Sequence, residues 1–309
     1  MPGATAAPIG DTLRMEFLSK FPQMDDTLLR DLKKAIDESF RGFTRAYGDA
    51  LESFFEPLRL FLVYAEQFVT RTPWIVIFLL IMAIAWFGSR SWKIVAGAAA
   101  TLLLIGYFGM WEDTMKTISM IFVCTVISIA VGIPLGIAMA RWNRVQSFVN
   151  PVLDVMQTMP SFVYLIPVVM LLGIGKVPGL IAVVIYAMPP IIRLTNLGIR
   201  LVDADMLEAA DAFGSNGWQK LTKVQLPLAL PTIMAGINQT IMMALAMVVI
   251  ASMIGVQGLG QPVLRAISNQ YFTLGMFNGF AIVGIAIIFD RVSQAFGKRL
   301  QKHAEVVHG

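Results

Sequence analysis

The sequence predicts an all-α fold: a polytopic membrane helix bundle of about seven spans. Three observations carry this. Apolar residues make up 57% of the 309-residue chain and charged residues only 14%, a balance foreign to a soluble two-domain protein of this length. The apolar residues fall in uncharged runs, most of them near the roughly twenty residues that a helix needs to cross a bilayer. Lysine and arginine collect in alternate connections between those runs, as expected of a chain threaded back and forth through a membrane.

Residues 1–73 are polar by comparison, with nine Lys/Arg against eleven Asp/Glu. They lack the charged-then-apolar pattern of a signal peptide. Leu28, Leu32, Ile36, Phe43, Tyr47, Leu51, Phe54 and Leu58 keep mostly helical spacing. Asp25 or Asp26 is expected to cap this helix and Pro57 to end or kink it. An amphipathic helix beside a membrane domain most simply lies in the interface, and a regulatory or docking element is the functional alternative.

The expected spans are residues 74–87, 92–110, 118–140, 152–173, 177–196, 228–255 and 275–289, within a membrane domain 74–292 followed by a tail 293–309. The first is short, about fourteen residues. No internal repeat appears. Gly132-x-x-x-Gly136 and Gly275-x-x-x-Gly279 are close-packing patterns, and Pro134 within the first predicts a kink. Pro160, Pro167, Pro189 and Pro190 interrupt further spans. Broken helices are tolerated where the backbone is buried in protein or lines a cavity, so residues 152–196 are expected to border the pathway.

The longest polar interval, residues 203–231, reads as two short amphipathic helices between two spans. Asp205 is expected to N-cap the first with Glu208 as its reciprocal partner, and Gly214 to follow its end in the left-handed conformation. The second carries Trp218, Leu221 and Val224 on one face, with Pro227 and Pro231 stopping it and starting the next span. With this interval in the cytoplasm, the cytoplasmic segments hold Arg90, Lys93, Arg141, Arg144, Arg193, Arg200, Lys220, Lys223, Arg291, Lys298, Arg299 and Lys302. The outside loops hold only Lys116, Lys176 and Arg265. Twelve against three is a positive-inside bias. It places residues 1–73 outside and the C-terminus in the cytoplasm.

The chemistry is defined partly by what the sequence lacks. There is no Walker A motif; Gly173-Ile174-Gly175-Lys176 is without the spacer and the Ser/Thr. No catalytic constellation and no metal-ligand set is present, so neither a catalytic residue nor a resident cofactor or metal is expected. Cys124 is the sole cysteine and sits in an apolar run; both histidines, His303 and His308, lie in the tail. Deep ionisable groups, the mark of pumps and proton-coupled carriers, are missing. Gln157, Thr158, Asn238, Gln239 and Thr240 occupy deep positions instead. Interhelical hydrogen bonding is the favoured reading for these, with Gln157, Thr158, Asn238 and Gln239 also possible pathway residues.

Glu208-Ala209-Ala210, three residues, Gly214, nine residues, then Val224-x-Leu226-Pro227 resembles the EAA motif of bacterial ABC importer permeases, departing only in Val224 where isoleucine is usual. The segments PVLDVMQTMPSFVYLIPVVMLLGIGKVPG and IYAMPPIIRLTNLGIRLVD resemble permeases that import glycine betaine, proline betaine and related compatible solutes. The resemblance covers roughly residues 110–295. It implies a type I ABC importer permease-like bundle in the bacterial cytoplasmic (inner) membrane. It also implies a cytoplasmic coupling loop (200–227) that docks into a separate ATPase, with Glu208, Ala209, Ala210, Gly214, Leu226 and Pro227 as the coupling residues. The partners it implies are a second permease copy, two ATP-binding subunits that hold ATP and Mg, an extracytoplasmic solute-binding protein and the lipid bilayer, with no nucleic acid. A permease for methionine or a sulfonate, a secondary transporter and a membrane scaffold are the alternatives.

Overall fold

A computed structural model describes residues 23–308, with side chains through residue 299. Residues 1–22 of the expected external segment, and the side chains of Lys302, His303 and His308, lie outside the described residues. Among the described residues every regular element is helical.

The first helix, α1 (Asp26–Arg71), is capped by Asp25, whose Oδ1 accepts the Thr27 N–H at 2.8 Å. The Thr27 hydroxyl, then the N–H groups of Thr27 and Leu28, hold the Asp25 carboxyl below the usual carboxylate range. Helix α1 carries the boundary between two compact units, residues 1–50 and 51–309. In the first, Leu28, Leu32, Ile36, Phe43 and Tyr47 are all exposed. In the second, Pro57 does not end the helix, one of the two outcomes expected of it. One lost hydrogen bond is outweighed by the turns that follow: Leu62 is buried in the main core with Leu58 and Ala65 against it, and Glu66 pairs with Lys176. The stop comes at Thr72-Pro73, where a proline disfavours helical backbone in the residue before it, and the chain bends by 110° into α2 (Trp74–Ser89).

After α2 come α3 (Trp92–Tyr107), α4 (Trp111–Arg141), α5 (Asn143–Thr158), a 3₁₀ turn Ser161–Tyr164, α6 (Leu165–Leu172), α7 (Lys176–Ala187) and α8 (Pro189–Arg200). Then follow α9 (Ala204–Ala212), α10 (Gly217–Lys220), α11 (Leu226–Ala251), α12 (Gly260–Asn269) and α13 (Phe272–His308). Each predicted apolar stretch falls on one of these helices or on a helix pair. Four continuous stretches are long and apolar enough to cross a membrane: Trp111–Arg141, Lys176–Arg200, Gly217–Ile254 and Phe272–Arg299. The number is six if each sharply bent pair counts as one, and seven with α3 added. At 1.5 Å per residue α2 and α3 each reach only about 24 Å. They form a hairpin through Arg90 that packs on α13.

The expected break at Pro160 is present: α5 and the segment Ser161–Leu172 meet at 111°. Pro189 and Pro190 instead open α8 at its first turn, where a missing N–H costs nothing. Helices α4, α8 and α11 pack on one another at the centre. The Gly132/Gly136 pattern makes this possible, since a Cβ on Gly136 would lie 2.6 Å from the Thr195 Cβ and 2.8 Å from the Ile192 carbonyl oxygen. The second pattern is met in half: a Cβ on Gly275 would lie 3.1 Å from the Ala266 Cβ, whereas one on Gly279 would meet nothing within 4 Å. Two rims result. At one, Arg200 reaches Met139 and Asn143, and Arg299 reaches the Phe87 carbonyl. At the other, Lys176 meets Glu66, and the Leu259 N–H donates to Thr117 Oγ1 at 2.9 Å.

Candidate functional site

The stretch 203–227 stands at the first rim and is built by local capping. Asp203, rather than the expected Asp205, caps α9; its Oδ1 accepts the Asp205 N–H at 3.1 Å. Two carboxylates in this sequence could serve, and α9 starts two residues earlier than the Asp205–Glu208 spacing suggests. Glu208 makes no return bond and is exposed with Ala209, while Ala210 is buried.

Helix α9 ends as its sequence predicts. Gly214 has φ +77°, its N–H donates to the Asp211 carbonyl at 2.9 Å, and the Ser215 N–H reaches back to the Ala210 carbonyl at 3.0 Å. This pair of bonds is a Schellman closure, which places a left-handed residue where glycine bears no Cβ penalty. Two residues on, Asn216 Oδ1 accepts from the N–H groups of Trp218 and Gln219, and Gln219 Oε1 accepts the Asn216 N–H at 2.9 Å. This is a complete capping box. The Asn-x-x-Gln spacing was the signal for it. Lys220 pairs with Asp211 and ties the two arms together.

The second arm differs from expectation. Pro227 does not separate a short helix from a span: α10 runs through a π-helical turn, Leu221–Gln225, straight into α11, a single stretch Gly217–Ile254. The Leu226 N–H bonds the Leu221 carbonyl across the wider turn. A proline lacks its own N–H and crowds the carbonyl four residues back; a π turn just before it gives that carbonyl room. Leu221 is buried, so the arm is anchored. The loop as a whole exposes Phe213 at 92% and Trp218 at 66%, with Met206 exposed as well. Large apolar side chains on a polar, well-capped loop are what a protein partner would cover. Leu226 and Pro227 open α11, and α10 and α11 form one continuous helical stretch.

The deep polar residues divide. Asn238 is held by α13: its Nδ2 donates to Asp290 Oδ1 at 3.1 Å and its Oδ1 accepts the Ser293 hydroxyl. Thr158 Oγ1 donates to the Val155 carbonyl of its own helix, and Thr240 is buried. Gln157, in the last turn before the 111° bend, and Gln239, midway along α11, are exposed without hydrogen-bond partners among the described residues. No hydrogen bond joins the α5 pair to the α11 pair.

The family described as "Binding-protein-dependent transport system inner membrane component" matches residues 132–302. Among characterised proteins, the chain is 52% identical over 229 residues to the glycine betaine/carnitine transport permease protein GbuB of Listeria monocytogenes, covering 74% of this chain and 81% of that protein. It is 43% identical over 263 residues to the glycine betaine transport system permease protein OpuAB of Bacillus subtilis, covering 85% and 93%. Against the glycine betaine/proline betaine permease ProW of Escherichia coli it is 51% identical over 222 residues, 70% of this chain but only 63% of ProW. A solved inward-facing structure of the MetNI methionine ABC transporter shares the fold, with TM-score 0.52 and 20% identity over 61% of this chain and 93% of that one.

Proposed function

The chain belongs to the binding-protein-dependent transport system inner membrane components, and from that premise we propose that it is the membrane-spanning subunit of an ABC importer for glycine betaine, proline betaine or choline-type solutes. The observation that carries the coupling role is the loop 203–227, an EAA-like sequence folded as two capped arms whose second arm is continuous with α11. Two copies would enclose the path, two ATP-binding subunits would dock on the Phe213–Trp218 surface, and an external binding protein would deliver the solute. ATP and Mg belong to those partner subunits. The twelve-to-three charge bias supports a cytoplasmic rim at Arg200 and Arg299 and an external rim at Lys176.

Solute chemistry supports the same reading. A quaternary ammonium zwitterion has a diffuse positive charge and no strong hydrogen-bond donor. It can cross a path lined by methionine, aromatic and amide groups without a fixed counter-ion. Gln239 meets that description: an amide left open to lipid at mid-helix would be costly, and it has no hydrogen-bond partner among the described residues. Reconstituted vesicles with the ATPase, the cognate binding protein and labelled betaine test the proposal. ATP-dependent betaine uptake is expected; uptake of methionine or a sulfonate with no quaternary amine would discard the solute and keep the importer.

A further inference from the structure

The end of α4 leaves its last carbonyls without a following turn, because Trp142 is extended and α5 sets off from Asn143. The side chain that answers them comes from a distant element. Arg200, the last residue of α8, donates from Nη2 to the Met139 carbonyl at 2.8 Å and to Asn143 Oδ1 at 2.8 Å, and from Nε to Asn196 Oδ1 at 3.0 Å. One planar guanidinium therefore joins the end of α4, the start of α5 and the end of α8, with its charge at the negative ends of two helix dipoles. Arg200 lies three residues before Asp203, the cap of α9. On the other side of the loop, a Cβ on Gly217 would come within 3.2 Å of Arg141 Nη2, so the α4–α5 elbow meets the base of the loop at Arg200 and the start of its second arm. Farther along, Arg193 pairs with Asp154 and holds α5 against α8 a second time.

We infer that Arg200 is a positioning residue for transport: it locks the α4–α5 elbow to the base of the coupling loop, so that displacement of α9 moves α5 and its 111° bend as well as α11. The continuous α10–α11 rod alone would move one wall of the path. The Arg200 bonds give the loop a second mechanical output, to the broken helix that carries Gln157 and Thr158. Neither Arg200 nor Asn143 belongs to the EAA-like motif, and their roles differ from docking. The inference rests on the importer reading above.

The test uses the assembled complex of permease, ATPase subunits and binding protein in lipid vesicles, measuring ATP hydrolysed per betaine imported. Arg200→Gln is expected to keep the ATPase subunits bound and hydrolysing, while ATP consumed per solute rises about tenfold, the scale of one lost charge-assisted hydrogen bond. Arg200→Lys, with the charge and a single donor centre, should fall between. Should Arg200→Gln fail to accumulate, Asn143→Ala removes the elbow acceptor without touching Arg200 and should raise the same ratio. An unchanged ratio in the variant that assembles, or hydrolysis and uptake falling in parallel, would overturn the inference. A wild-type complex that imports nothing with ATP would refute the importer reading instead, so the two failures are told apart.

Discussion

Gly136 and Gly279, each the second glycine of a Gly-x-x-x-Gly pattern, make opposite predictions. At Gly136 an added methyl would sit 2.6 and 2.9 Å from the Thr195 Cβ and Cγ2 and 2.8 Å from the Ile192 carbonyl oxygen, where unstrained carbon contacts lie near 3.5–4.0 Å. One of these neighbours is backbone and another is a stiff β-branched side chain, so α4 and α8 must part by close to an ångström. Overpacking of this kind costs about 1–3 kcal/mol. At Gly279 the methyl meets nothing, and alanine carries the better helix propensity. Cys124 provides the assay: it is the sole cysteine and fully buried, so a thiol-reactive dye reports opening of the bundle on heating. With about 2–4 °C per kcal/mol for a chain of this order, Gly136→Ala should melt roughly 2–12 °C below wild type and Gly279→Ala at or above it. A Gly279→Ala loss as large as that of Gly136→Ala, or no loss at Gly136, would refute the packing argument.

Other expectations concern the loop, the orientation and the outer rim. Gly214→Val forces a β-branched residue to φ +77°, a strain of about 1–2 kcal/mol, and should impair ATPase docking or coupling while the spans still insert; normal uptake at normal hydrolysis rates would make the loop a mere connector. A cysteine placed at Ser39 in a Cys124→Ser background should react with an impermeant thiol reagent in intact spheroplasts, and one at Asn216 only after lysis. Reversed accessibility contradicts the proposed orientation. Glu66→Ala should lower stability by about 1–2 kcal/mol, discounted from the cost of a fully buried broken pair because Lys176 stays one-third exposed. Glu66→Ala with Lys176→Met should recover most of that loss in the same melting assay, and no recovery would show that the charges are not coupled.

What the sequence made legible was whatever is decided within a few residues or by the bilayer. Apolar runs located the spans, Gly214 announced its left-handed turn, and Pro160 announced the bend, because each depends on local backbone chemistry. The misreadings share a cause: tertiary packing overrode a local signal. Pro57 was expected to end or kink a helix; it does not end it, because Leu62 and Glu66 are held against the bundle and carry the helix onward. Asn238 and Gln239 are adjacent amides with the same local signal, and only the position of α13 shows that one is bonded to Asp290 and the other is open. The amphipathic helix α12 was missed because the interval before it, from Gly255 to Gly260, resembles an exposed glycine-rich loop. In fact Val256 and Leu259 are buried. Pro227 is the most instructive of these cases. Local reasoning places a helix boundary there, and a boundary would make the loop a detached handle on a span. The π turn before Pro227 absorbs the proline without interrupting the helix, and so the exposed Trp218 and Gln239 lie on one continuous helical stretch. On the proposed coupling role, movement at Trp218 would reach Gln239 along that stretch without a separate linker between loop and span.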